Sequence, residues 1–97
     1  MAKTYWISAY RAVSDPAKLA AYAALASPAI TGGGGRFLAR GGQVKAFESG
    51  VSERTVIIEF DSFAQAIATY EGEAYRAALA ALGDGATRDV RIVEGVD

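Results

Sequence analysis

Six side chains could carry chemistry: Arg36, Arg40, Arg54, Glu59, Tyr22 and Tyr75. Arg36, Leu38 and Arg40 are spaced two apart in a short strand-like run, and alternation predicts that all three share one face. Two guanidinium groups on one face, with Arg54 nearby in the chain, could hold a carboxylate, a phosphate or a developing enolate. The competing reading pairs these arginines with Glu48, Glu53 or Glu59, or leaves them solvated. Glu59 lies inside an apolar strand, between Ile58 and Phe60. A carboxylate in such a place must be paired or have a raised pKa. Unpaired, it is a candidate general acid or base. Paired to an arginine, it is a structural bridge or a positioning group, and pairing is the favoured outcome. Tyr22, Tyr70 and Tyr75 fall on helical faces expected to meet the sheet. Their phenols either donate hydrogen bonds into a ligand pocket or complete the core with the hydroxyl at its rim. Trp6 reads as packing.

Other chemistries are ruled out by what the chain lacks. With no histidine and no cysteine, a zinc site of the usual kind, a thiol nucleophile and a histidine-based triad are all excluded. Glu53, Glu59 and Asp61 give only a weak signal for Mg²⁺, so neither a metal nor a cofactor is expected. The run Gly32-Gly33-Gly34-Gly35 lacks the Gly-Lys-Ser/Thr ending of a phosphate loop. It also follows a helix and opens a strand, the reverse of a dinucleotide-binding turn.

The elements that position these residues follow from periodicity. Lys3 to Ala12 reads as a strand, rich in aromatic and β-branched residues. Asp15-Pro16 starts a helix, which is expected to end near Ala26 because Pro28 disfavours helix at Ser27. Arg36 to Arg40 is a short strand, and Gln43 to Glu48 is expected to continue it past a bend at Gly41-Gly42. After a polar turn, Arg54 to Phe60 is a strong strand. Ser62 and Gln65 suggest a capping box for a helix bearing Phe63, Ala66, Ile67 and Tyr70. Gly72 breaks that pattern, and Tyr75, Leu79 and Leu82 begin a second stripe. Thr87 to Glu94 is the last strand. The order β-α-β-β-α-β predicts an α+β ferredoxin-like split-βαβ sandwich with both helical layers on one sheet face. The other face should be polar in a monomer. However, the first strand carries large apolar groups at both parities, so the second face is expected to be covered by another copy in an isologous dimer.

The chain has 97 residues, which fits a single domain spanning 1–97. Its apolar content of 52% marks a globular sequence rather than a disordered one. A net charge of −1 argues against nucleic acid as a partner, because phosphate binding needs a basic footprint. No apolar run reaches membrane-spanning length and no signal peptide is evident. The lack of cysteine suits a cytoplasmic location.

The stretch Gly34-Gly35-Arg36-Phe37-Leu38-Ala39-Arg40-Gly41-Gly42, followed by Glu53-Arg54, Glu59-Phe60, Tyr70 to Tyr75 and Ile92-Val93-Glu94-Gly95, resembles the DUF1330 family over almost the whole chain. The opening Tyr5-Trp6-Ile7 fits as well. The resemblance implies a dimeric α/β-barrel fold and singles out Arg36, Arg40, Arg54, Glu59 and Tyr75. The family has no established activity, and its superfamily relatives include cofactor-free monooxygenases and lactone isomerases, so function carries over by fold analogy only. The expected role is a small homodimer that binds a small anionic metabolite between sheet and helices. One alternative is a cofactor-independent monooxygenase or isomerase acting on an enolisable or acidic substrate. The other is a purely structural or interaction dimer.

Overall fold

A computed structural model describes residues 2–96 of the chain. Strand β1 (Thr4–Val13) leads to helix α1 (Pro16–Gly32), then β2 (Arg36–Arg40) and β3 (Thr55–Phe60). Helices α2 (Phe63–Glu71) and α3 (Glu73–Leu82) follow, and β4 (Ala86–Glu94) closes the fold. The sheet runs β2-β3-β1-β4, with every neighbouring pair antiparallel. This is the split-βαβ arrangement, with all three helices on one sheet face.

Helix α1 starts as its residues dictate. The Asp15 carboxylate accepts from the N–H groups of Ala17 and Lys18 at 3.1 and 3.2 Å, and Pro16 supplies a pre-set first turn. Its end differs from expectation, because the helix runs through Pro28 to Gly32. Proline at 28 removes the bond to the Ala24 carbonyl. Both residues are exposed, so water can take that carbonyl and the loss is small. Continuing the helix brings Ile30 into the core at 2% exposure, a burial worth about 1.5–3 kcal/mol.

Only half of the expected capping box forms at α2. Ser62 Oγ accepts from the Gln65 N–H at 3.1 Å, while the Gln65 side chain donates to the Gly33 carbonyl at 3.0 Å. That contact ties the glycine turn to α2. Gly35 is buried against Ile30, Ile58 and Phe60, where a Cβ would approach within 2.9 Å, so the backbone passes where no larger residue fits. The break at Gly72 falls as expected, between α2 and α3.

Side-chain parity decides the two sheet faces. Thr4, Trp6, Ser8 and Tyr10 of β1 and Val56, Ile58 and Phe60 of β3 are buried under the helices. Trp6 is the hub, with ring centroids 4.9 Å from Tyr75, 5.3 Å from Tyr70 and 6.1 Å from Phe60. Tyr5, Ile7, Ala9, Ile57 and Glu59 face the other way and are half-buried. The molecule is only 17 Å deep in its shortest direction, which is one helix layer on one sheet.

The expected continuation of β2 over Gln43 to Glu48 is not formed. Gly41 takes a φ of 76°, which turns the chain away from the sheet, and residues 47–53 fold into tight turns through Gly50 N–H to Phe47 O and Glu53 N–H to Val51 O. The 41–54 segment therefore has no regular structure and leaves Phe47 at 74% exposure. Among the described residues, no helix is long and apolar enough to cross a membrane.

Candidate functional site

The sheet separates the arginines by face. Strand β2 pairs with β3 as Arg36↔Glu59, Phe37↔Ile58, Ala39↔Ile57 and Arg40↔Val56, with a register shift between Phe37 and Ala39. Leu38 is the extra residue of a bulge, and a bulge inverts the alternation beyond it. Arg36 and Arg40 therefore lie on opposite faces, which corrects the expectation that Arg36, Leu38 and Arg40 point the same way.

On the open face, Arg36 is paired with two carboxylates. Its Nε and Nη2 donate to Glu59 Oε1 at 3.1 and 3.0 Å, and Nη2 also reaches Asp61 Oδ1 at 3.0 Å. Lys3 binds the same Asp61 oxygen at 2.7 Å, and the Tyr5 hydroxyl donates to Glu59 Oε2 at 3.1 Å. The Arg36 guanidinium holds the Glu59 carboxyl below its ordinary range, against a smaller opposing effect of burial. Hydrogen bonds from Lys3 and then Arg36 do the same for Asp61. A carboxylate held ionised in this way is a poor proton donor or acceptor near neutral pH, so Glu59 forms the structural bridge.

On the helix side the pattern is reversed. Arg40, Arg54 and Arg88 have no carboxylate in ion-pair range among the described residues. Arg40 stacks 4.2 Å over the Phe37 ring and donates to Ser27 Oγ of α1 at 3.2 Å. Arg54 lies 5.9 Å from the Tyr10 ring centroid, and its Nε is buried with no hydrogen-bond partner. Arg88 lies over the rings of Tyr22 and Tyr10 at 4.9 and 5.5 Å and donates to the hydroxyls of Tyr22 and Tyr75 at 3.0 and 3.3 Å. Those two hydroxyls are themselves 2.6 Å apart. Burial pushes the Tyr75 phenol well above its ordinary range. Burial also opposes the Arg88 charge, but the two tyrosine oxygens more than offset it and keep the guanidinium a cation.

Tyr22, Arg40 and Arg54 line a small cavity between α1 and the sheet, of about 30 Å³ and partly open to solvent. Tyr10, Tyr22, Ser8, Ser27, Arg40 and Arg54 supply its polar lining, over an apolar floor that includes Ile30, Phe37, Val56 and Ile58. Among the described residues, no acidic side chain lines it. Of the residues singled out in the sequence, the cavity gathers Tyr22, Arg40 and Arg54. Tyr75 reaches it only through the Tyr22 hydroxyl, and Arg36 and Glu59 lie on the far face of the sheet. Arg88 was not singled out, although a signal existed. In β4 it shares parity with Val90 and Ile92, which pack on the core, and a charge at a core parity needs explaining. Chemically, the arrangement can hold and polarise an acceptor, with Tyr22 as the hydroxyl at the cavity wall.

An antiparallel sheet in the order β2-β3-β1-β4 under one helical layer defines a ferredoxin-like α+β protein. Solved structures share this fold. A protein of unknown function from Rhodopseudomonas palustris superposes with a TM-score of 0.77 at 15% identity, covering 99% of this chain and 84% of that one. A candidate antibiotic biosynthesis monooxygenase from Caulobacter crescentus CB15 gives 0.64 at 16% identity, over 99% and 92% of the two chains. A dimeric ferredoxin-like protein of unknown function from Thermobifida fusca YX gives 0.61 at 17% identity, over 97% and 92%. The chain belongs to the DUF1330 family, a domain of unknown function, whose profile matches residues 3–96. No curated protein matches it in sequence.

Proposed function

We propose that the chain binds a small anionic metabolite in the cavity between α1 and the sheet, and does so as a homodimer. The observation that carries the ligand is the set of three guanidinium groups on the helix side, Arg40, Arg54 and Arg88, that meet no carboxylate among the described residues. Arg54 and Arg88 are half-buried, and a half-buried cation without a counter-ion is costly, a cost that a bound anion would relieve; Arg40 is exposed and adds its charge at the cavity wall. Because Arg36 is neutralised by Glu59 and Asp61, the arginines left to face a ligand in the cavity are Arg40 and Arg54, while Arg88 reaches it only through the Tyr22 hydroxyl.

The dimer reading rests on the open sheet face. Ile7, Ala9, Ile57 and Val93 share it, and Val93 is 49% exposed. The Lys3–Asp61–Arg36–Glu59 group lies at one end and Arg11–Asp89–Arg91 at the other. Each group carries both signs, so neither end of the face presents a block of like charge to a second copy related by a two-fold axis. The dimeric protein from Thermobifida fusca with the same fold lends support. The oxygenase or isomerase reading, with Glu59 or Tyr75 moving the proton, is weaker, because Glu59 lies on the wrong face of the sheet for this cavity and Tyr75 is fully buried, its phenol pushed up by burial.

Thermal unfolding against a panel of small anions tests the ligand. A ligand that binds the native state raises Tm, and Arg54→Gln should abolish the rise while Arg36→Gln leaves it. The reading fails if no anion raises Tm, or if both substitutions act alike. Light scattering tests the dimer: a monomer across the micromolar range would sink it, and Ile57→Lys should dissociate it.

A further inference from the structure

We infer that the anion is a monocarboxylate bearing a short apolar tail, with its carboxylate held by Arg54, Tyr22, Ser8 and Ser27. This rests on the anion-binding reading and specifies it.

The inference follows from an inventory of hydrogen-bond donors and acceptors. Ser8 Oγ accepts from Trp6 Nε1 at 3.0 Å, and Ser27 Oγ accepts from Arg40 at 3.2 Å. Each serine hydroxyl keeps its own proton, and neither donates to another group among the described residues. The tyrosine pair leaves a third donor. Both phenol oxygens accept from Arg88, and only one O–H can lie along the 2.6 Å contact between them. The other O–H is left over. Tyr75 is fully buried among Trp6, Tyr70 and Tyr22, whereas Tyr22 lines the cavity. The arrangement that satisfies both phenols has Tyr75 donating to Tyr22, with the Tyr22 O–H free toward the cavity. The fourth donor is the buried, unpartnered Nε–H of Arg54. Four lining residues thus bring donors in surplus, and no lining side chain is a carboxylate.

A carboxylate presents about four lone-pair positions on two oxygens and no hydrogen, which matches four donors. A water offers two acceptor positions and brings two protons that also need acceptors. The size of the cavity points the same way. A cavity of about 30 Å³, partly open to solvent, has room for one or two water-sized atoms, which suits a flat carboxylate head better than a tetrahedral phosphate or sulfate. The floor of Ile30, Phe37, Val56 and Ile58 then offers an apolar surface to the first carbons of the tail.

The test is calorimetric titration and thermal unfolding of the full chain with sodium acetate, propionate and butyrate. Propionamide serves as the uncharged isostere, and phosphate and sulfate are compared at matched ionic strength. Propionate or butyrate should bind saturably and raise Tm. Propionamide should not, and phosphate and sulfate should bind at least tenfold more weakly. Arg54→Lys keeps the charge but loses the Nε–H, and should weaken binding at least tenfold. Tyr22→Phe should weaken it several-fold, and Arg36→Gln should leave it unchanged. Phosphate or sulfate binding as tightly as the carboxylates would overturn the carboxylate assignment and leave the broader anion reading standing. Wild-type affinity in Arg54→Lys would overturn the donor set. Absence of binding by every anion would overturn both readings.

Discussion

The two faces of the sheet use arginine in opposite ways. On the open face Arg36 is held by Glu59 and Asp61 in a solvated network that also takes in Lys3 and Tyr5. On the helix side Arg40, Arg54 and Arg88 sit against aromatic rings and hydroxyls and meet no acid among the described residues. A guanidinium with its carboxylates in place has its charge answered within the chain. Arg88 has its charge answered by two tyrosine oxygens instead, whereas the buried Arg54 Nε has no partner among the described residues. The same side chain is structural on one face and a candidate binding group on the other, and position relative to the sheet makes the difference.

The largest expected effect contrasts packing on the two faces. Trp6→Ala should cost about 3–5 kcal/mol in urea unfolding, because the ring is the centre of the helix-side core. Ile57→Ala, on the open face, should cost less, and its cost should grow with protein concentration if a second copy covers that face. Equal costs that do not depend on concentration would break the contrast. A smaller effect separates the tyrosines. Tyr75→Phe should cost about 1 kcal/mol by removing a buried hydroxyl bond, whereas Tyr5→Phe, which removes a part-buried bond to Glu59, should cost less.

Exchanging the arginines for methionine sharpens the comparison in sign. Arg36→Met should lower stability by leaving Glu59 and Asp61 without their partner. Arg54→Met should leave the ligand-free protein as stable as before, or more so, because it removes a cation that has no counter-ion. A marked loss of stability in Arg54→Met would mean that its charge is already satisfied. The smallest effects are in pH. The folded state lowers the Glu59 pKa from 4.5, so its contribution is complete above that value and disappears as pH falls through the lowered pKa. Acid unfolding of Glu59→Gln should therefore be less steep below about pH 4.5. Tyr75 has the opposite sign. Its pKa is raised from 10.0, so its contribution is complete below pH 10 and is lost as pH rises through the raised value. Tyr75→Phe should flatten the alkaline limb.

Much of the fold was legible because it rests on local periodicity. Val56, Ile58 and Phe60 alternate with Ile57 and Glu59, and the structure keeps that division. Asp15-Pro16 and Gly72 mark helix boundaries by backbone chemistry that needs no tertiary partner. The site was only partly legible. Tyr22, Arg40 and Arg54 were found from residue type, but Arg36 was grouped with Arg40 because alternation presumes an unbroken ladder. The bulge at Leu38 depends on how β2 pairs with β3, which no local pattern in β2 reveals. Arg88 was passed over because Thr87 to Glu94 mixes charged and apolar residues, and only the register Tyr10↔Arg88 places it among the tyrosines.

The sequence alone determined the order of elements, the apolar character of both sheet faces and the exclusion of histidine and thiol chemistry, since each follows from composition or from neighbours in the chain. Tertiary structure decided which arginines have carboxylates. Ion pairing depends on distances of a few ångströms between residues more than twenty positions apart, such as Arg36 and Glu59, and a one-residue bulge is enough to send a side chain to the other face.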